Sequence, residues 1–161
     1  MDFSYNFPAV RGIQAGREYY VSMVPLKLLP RLFPSDDEIV PPECRAQRRI
    51  NESRIPEIKK YILDNRTNYV FSALSAAING EHKFIPYADG DAGILTVSME
   101  AIFLINDGQH RKSAIEEALA EDPTLENETI SVVFFSDEGL KRSQQMFTDL
   151  NKHAVKTSNS L

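Results

Sequence analysis

One stretch of five residues concentrates more donor and acceptor chemistry than any other: Asp107-Gly108-Gln109-His110-Arg111. It offers a carboxylate, an amide, an imidazole and a guanidinium, with a glycine after the carboxylate. This order suits the binding of an anion, phosphate above all. If the stretch opens a helix, the first backbone N–H groups lack intrahelical acceptors and lie at the positive end of the macrodipole. Gly108 would let a ligand come close to the backbone. His110 and Arg111 would add side-chain donors at the same end. The site expected from the residues is therefore Asp107, Gly108, Gln109, His110 and Arg111 around a phosphate. A plainer alternative makes Asp107 an N-cap, Gly108 a turn residue and Arg111 a surface charge.

A second candidate is electrostatic. The chain has a formal net charge of −5, yet the window from Arg45 to Arg66 holds seven basic side chains against Glu52, Glu57 and Asp64. A basic patch on an acidic body can still hold phosphates. Arg45, Arg48, Arg49, Arg54, Lys59 and Lys60 are the residues this reading assigns to DNA backbone. The competing account is a solvated helix face with internal ion pairs.

Other chemistries find less support. His82, His110 and His153 are scattered without metal-ligand spacing. There is no Gly-x-x-x-x-Gly-Lys-Ser/Thr sequence for a P-loop. Cys44 is the only cysteine, which excludes an internal disulfide, and it reads as an inert or surface thiol. With no long apolar run and no secretory leader pattern in the opening residues, the expected setting is a soluble protein in the cytoplasm. No catalytic residue and no metal ligand stands out.

The elements that must position the central turn follow from hydrophobic pattern. Ala101 to Ile105 is a continuous apolar run, which predicts a central strand buried on both faces, with Leu104 and Ile105 almost fully covered. Gln109 to Ala120 predicts a helix with Ala114, Ile115, Ala118 and Leu119 along one side, ended by Pro123. Ile130 to Phe135 repeats the buried-strand pattern, and Asp137 is placed to cap a last helix carrying Leu140, Phe147 and Leu150 inward. Upstream, the first 20 or so residues read as aromatic and turn-rich, and Arg17 to Val24 as a strand stopped by Pro25. Pro30 to Pro42 reads as a surface loop. A helix is expected from the Ser53 N-cap to Asp64-Asn65, with Ile55, Ile58 and Ile62 on one face. Val70 to Ile78 reads as a strand, followed by a turn at Asn79-Gly80 and a hairpin arm at Lys83-Phe84-Ile85. Another turn, bracketed by Gly90 and Gly93, precedes the strand Ile94 to Val97. Alternating strands and helices in the second half predict an α/β fold around a mixed sheet.

The hexapeptide Asn106-Asp107-Gly108-Gln109-His110-Arg111 resembles the signature of the DGQHR-domain proteins. Three further blocks, Phe7 to Arg17, Tyr69 to Leu74 and Phe147 to Asn151, resemble the DndB branch of those proteins, which is tied to sulfur modification of DNA. The resemblance runs over nearly the whole chain. Members of that branch continue past the point where this chain stops, so the expectation is one DGQHR-type domain over residues 1–161, forming the N-terminal part of a longer protein. A distant likeness to the ParB and sulfiredoxin fold is also implied, in which an equivalent turn holds nucleotide phosphates. Gln47-Arg48-Arg49 resembles the arginine box that precedes a helix in ParB proteins.

What the resemblance implies is a DNA-binding transcriptional repressor of the phosphorothioation genes. Its expected partners are DNA, a nucleotide and a second copy of the chain, with no membrane. A nucleotide with magnesium is the cofactor such a turn would hold. The rival class is an NTP-hydrolysing or DNA-processing enzyme of the same system, with His110 and Asp107 doing chemistry. The sequence offers no activated nucleophile and no obvious metal cage, which favours binding over catalysis.

Overall fold

Side-chain alternation builds the first hairpin. In β1 (Ser4–Gln14) Phe7 and Ala9 are buried, and in β2 (Arg17–Pro25) Tyr20, Ser22 and Val24 are, so one face of each strand points inward. The two pair antiparallel down to Gln14 opposite Arg17, leaving the two-residue loop Ala15-Gly16. Both loop residues have positive φ, 52° at Ala15 and 75° at Gly16, as such hairpin turns demand. Alanine is the wrong residue for that conformation. Ala15→Asn is therefore expected to raise the unfolding free energy by roughly 0.5–1 kcal/mol, read as a shift of the urea midpoint at constant slope. A destabilised variant would mean that the loop adopts another turn.

This computed structural model describes residues 3–34 and 54–137, together with Gln145 and Thr148. The remaining strands are β3 (Leu74–Asn79), β4 (His82–Pro86), β5 (Ala92–Ser98), β6 (Ile102–Asp107) and β7 (Thr129–Ser136). They form one sheet in the order β4-β5-β1-β2-β7-β3-β6. The β3–β7 pair is parallel, while β1–β2, β1–β5, β3–β6 and β4–β5 are antiparallel. The fold is thus α/β with a mixed sheet. The chain divides into two compact units: a sheet unit of Met1–Met23, Leu74–Asp107 and Ser131–Leu161, and a helical unit of Val24–Ala73 and Gly108–Ile130.

The sheet is strongly curled. β3 and β4 are five places apart in strand order, about 24 Å in a flat sheet. Yet only Gly80 and Glu81 join them, a span of at most about 11 Å. Gly80 makes this corner possible. Its φ is +144°, and a Cβ there would lie 2.6 Å from the Cβ of Ala101. Inside the curl, Phe134 of β7 stacks on Phe7 of β1 at 5.6 Å and meets Phe103 of β6 at 5.7 Å. Tyr5 reaches Phe103 at 6.1 Å, although β1 and β6 are four places apart. These rings, with Leu95, Val97 and Ile78, form the core of the sheet unit.

Several elements depart from the sequence reading. The opening residues form a strand, not a turn-rich lead. Pro8 and Gly12 mask its alternation, and the Pro8 carbonyl accepts the Ser22 hydroxyl at 2.7 Å. Val70 to Ala73 is not strand, and Val70 is 77% exposed. The Lys83–Ile85 arm does form, but pairs with β5 instead of β3, because the chain turns the corner at Gly80 instead of doubling back. Gly93 lies inside β5, not at its edge. The apolar run before the central turn is not a central strand: among the described strands β6 is at the edge, Ile102 is 41% exposed and Leu104 only half-buried. Phe103 and Ile105 are buried, so the run covers one face.

The helical unit begins with a 3-10 turn (Leu26–Leu28) and the short helix α1 (Leu29–Leu32), inside the stretch expected to be a loop from Pro30 onward. Leu26, Leu29, Leu32 and Phe33 are buried, which explains the helix there. Next come α2 (Arg54–Asp64), α3 (Gln109–Glu121) and a 3-10 turn (Pro123–Asn127). α2 packs on α3. Ile62 of α2 is buried, and so are Ile115, Ala114 and Ala118 of α3, the two alanines being small enough to allow close approach. Pro123 follows α3 as expected. The Ser53 cap, residues 35–42 and the inward face of the last helix lie outside the described residues. Of that last helix only Gln145 and Thr148 are described, both helical. Among the described residues no helix is long and apolar enough to cross a membrane.

Candidate functional site

The central turn is a strand-to-helix junction, as expected. Asp107 ends β6 opposite Ser75, and Gly108 is the N-cap of α3 with φ 105° and ψ 18°. That backbone conformation favours glycine, which explains the residue at this point. The cap falls on Gly108 and not on Asp107, so the capping residue has no side chain to place over the first turn. The first i→i−4 bond of α3 runs from the Lys112 amide to the Gly108 carbonyl at 2.9 Å. The amides of Gln109, His110 and Arg111 therefore precede the helical ladder. No acidic residue occupies the first turn itself, and Asp107 directly precedes the cap.

Arg111 makes bonds within the protein that the sequence reading did not include. Its Nη1 donates to the Ser72 carbonyl at 2.8 Å, to the Ser72 hydroxyl at 2.5 Å and to the Ala73 carbonyl at 3.1 Å. The guanidinium thus clamps the chain just before β3 onto the start of α3. His110 is half-buried and its Nε2 is closed off from solvent, so the donor expected from it is not presented outward at that atom. The next residue, Lys112, is only 5% exposed and pairs with Glu116 at 2.7 Å. Its charge is neutralised one turn along the same helix.

The segment held by Arg111 is secured from its other side as well. The Tyr61 hydroxyl accepts from the Val70 amide at 2.7 Å, and the Phe71 ring lies between those of Tyr61 and Tyr69. The Tyr69 hydroxyl donates to Glu128, and burial together with that carboxylate pushes its pKa up to about 12. Arg66 pairs with Asp122 at 2.7 Å and Glu128 at 3.0 Å. Hydrogen bonds from Thr124 and Arg66 hold the Asp122 carboxyl below its ordinary pKa. Residues 66 to 73 are thereby fixed to the helical unit without regular secondary structure. Sequence reasoning missed Ser72, Ala73, Lys112 and Glu116. The only available signal was that Ser72 and Ala73 belong to the Tyr69–Leu74 block.

Of the basic segment, Arg45, Arg48 and Arg49 lie outside the described residues, as does Cys44. Arg54 is exposed at the start of α2. Lys59 bridges Glu121 at 3.0 Å and Glu117 at 3.9 Å, so it joins α2 to α3. Lys60 is largely exposed and pairs with Asp64 one turn on. The described part of the segment therefore resembles the ion-paired helix face more than a bare cationic patch. The turn and Lys59 both belong to α3 or its partner helix, but the bonds around them are internal to the protein.

A family model, DndB, described as DNA-sulfur modification-associated, matches residues 7–161. No curated protein and no solved structure matches the chain. The ParB and sulfiredoxin likeness accordingly rests on the sequence resemblance alone.

Proposed function

The chain belongs to the DndB family, associated with DNA sulfur modification, and from that premise we propose that it is a DNA-binding regulator that represses the modification genes. The reading assigns the Gly108–Arg111 turn to a phosphate, either of DNA or of a nucleotide with magnesium. One observation supports this most: α3 opens on a left-handed glycine, with no acid in its first turn. The Gly108 and Gln109 backbone amides would be the primary ligands, with Arg111 setting their geometry by holding Ser72 and Ala73. Asp107 would orient the turn from the strand side.

Contact to the duplex would come chiefly from Arg45, Arg48, Arg49 and Arg54, since Lys59 and Lys60 already face carboxylates. Titration with a short duplex, ATP and CTP, each with and without magnesium, tests the reading. Duplex affinity should fall with log salt at a slope of about −0.9 per phosphate contact. Neutralising Arg48 and Arg49 together should flatten that slope by up to about two, equally on specific and non-specific DNA. Removing Lys59 should leave it nearly unchanged. An unaltered slope in the double-arginine variant, or no binding to any of the three ligands, would overturn the proposal.

A further inference from the structure

A second cluster lies in the sheet unit, where β3 turns the corner into β4. His82 begins β4 and Ser136 ends β7. The His82 Nδ1 lies 2.8 Å from the Gly80 carbonyl oxygen, and its Nε2 lies 2.8 Å from the Ser136 hydroxyl. A carbonyl oxygen can only accept, so Nδ1 carries the proton. In the neutral ring Nε2 then holds a lone pair, and the Ser136 hydroxyl must donate to it. The arrangement is a nucleophile, a base and a group that orients the base. Ser136 is exposed, so an electrophile can reach it. The Asp137 amide, next in the chain, bonds the Ile78 carbonyl at 2.8 Å and fixes the backbone beside the serine.

We propose that Ser136 is a nucleophile activated by His82, a serine–histidine site for activated acyl esters. Ser136 Oγ attacks the ester carbonyl carbon, the Oγ–C bond forms, and the hydroxyl proton passes to Nε2. The tetrahedral adduct collapses with cleavage of the ester C–O bond, and the leaving alcohol takes the proton from Nε2. Water gives a proton to the same nitrogen and attacks the acyl carbon; the Oγ–C bond breaks, Ser136 Oγ takes the proton back from Nε2, and the carboxylic acid leaves. Because the site is open, solvent carries much of the developing oxyanion charge. That limits the substrate class to esters with good leaving groups. The Gly80 carbonyl orients the imidazole where a carboxylate does so in a full triad.

The test uses the whole chain and p-nitrophenyl acetate, with acetylation mapped by mass spectrometry. Ser136 should be acetylated at least about tenfold faster than Ser4 or the exposed Ser72. His82→Ala should slow labelling at Ser136 by about 100-fold, the lower range for loss of a general base. Added imidazole should restore part of that rate, which no purely structural role of His82 would explain. Thermal melts accompany each variant. If His82→Ala does not fold, the comparison of Ser136 with Ser4 and Ser72 in the unaltered protein decides. Equal labelling of the three serines, or a wild-type rate at Ser136 in a folded His82→Ala protein, would overturn the assignment.

Discussion

Phe134→Ala should lower the unfolding free energy by about 3–5 kcal/mol, the largest effect expected of any single truncation among the described residues. Phe134 is fully buried, and its ring lies against both Phe7 and Phe103 inside the curled sheet. Truncation removes the buried ring and leaves a cavity whose walls come from three strands. Those strands are held at fixed separations by their ladders, so the cavity cannot collapse freely. Aromatic packing adds about 0.5–1.5 kcal/mol per pair beyond area burial. Leu104→Ala is the internal comparison. That side chain is only half-buried on β6, so its loss should cost about 1–2 kcal/mol, below the usual range for a buried leucine. Urea melts of the two variants rank them directly. Similar costs would mean that β6 is covered on both faces and that the interior does not centre on Phe134.

Arg111→Ala should weaken phosphate binding roughly 10- to 150-fold and also destabilise the fold, by about 1.5–3 kcal/mol. The second effect follows from the clamp. Nη1 serves the Ser72 carbonyl, the Ser72 hydroxyl and the Ala73 carbonyl, and alanine leaves all three without that donor. Arg111→Lys supplies a cation but no planar fork, so it should recover part of the stability and less of the binding. Ser72→Ala separates the roles, because it removes one acceptor while keeping both carbonyls. It should cost below about 1 kcal/mol and leave ligand affinity within a few-fold. Denaturant melts and isothermal titration on the same preparations give both quantities. If Arg111→Ala is destabilised but binds ATP, CTP and DNA as before, the arginine only fastens the chain.

The turn was legible because its determinants are local. A glycine flanked by polar residues between an apolar run and a periodic segment identifies a strand-to-helix junction, and Gly108 occupies the conformation that demands glycine. The α3 face was equally legible, since Ala114, Ile115 and Ala118 follow helical spacing. The position of β6 was not. Five apolar residues in a row state that a strand is greasy, but not where it lies in a sheet. Curling lets Phe103 and Ile105 find Phe134 and the interior while Ile102 stays exposed at the edge. β1 escaped notice because Pro8 and Gly12 break its alternation, though Phe7 and Ala9 are buried as a strand requires. The clamp on Ser72 and Ala73 was invisible, because it joins residues 38 and 39 apart through main-chain carbonyls. No side-chain type advertises such an acceptor.

The strand order also sets a schedule for folding. Without β7 the sheet falls into two separate pieces, β4-β5-β1-β2 and β3-β6, and β7 alone lies between them. β7 is the last strand of the described chain to be synthesised. β1 meanwhile waits for β5, since Ser4 pairs with Ser98. Pairings this distant in sequence carry a loop-closure cost before they return any stability, which slows folding. A growing chain must therefore shelter the facing edges of β2 and β3 until the Thr129–Ser136 strand has left the ribosome. Chaperone dependence during synthesis, and aggregation of chains ending before Thr129, are the outcomes expected when the last described strand closes the sheet.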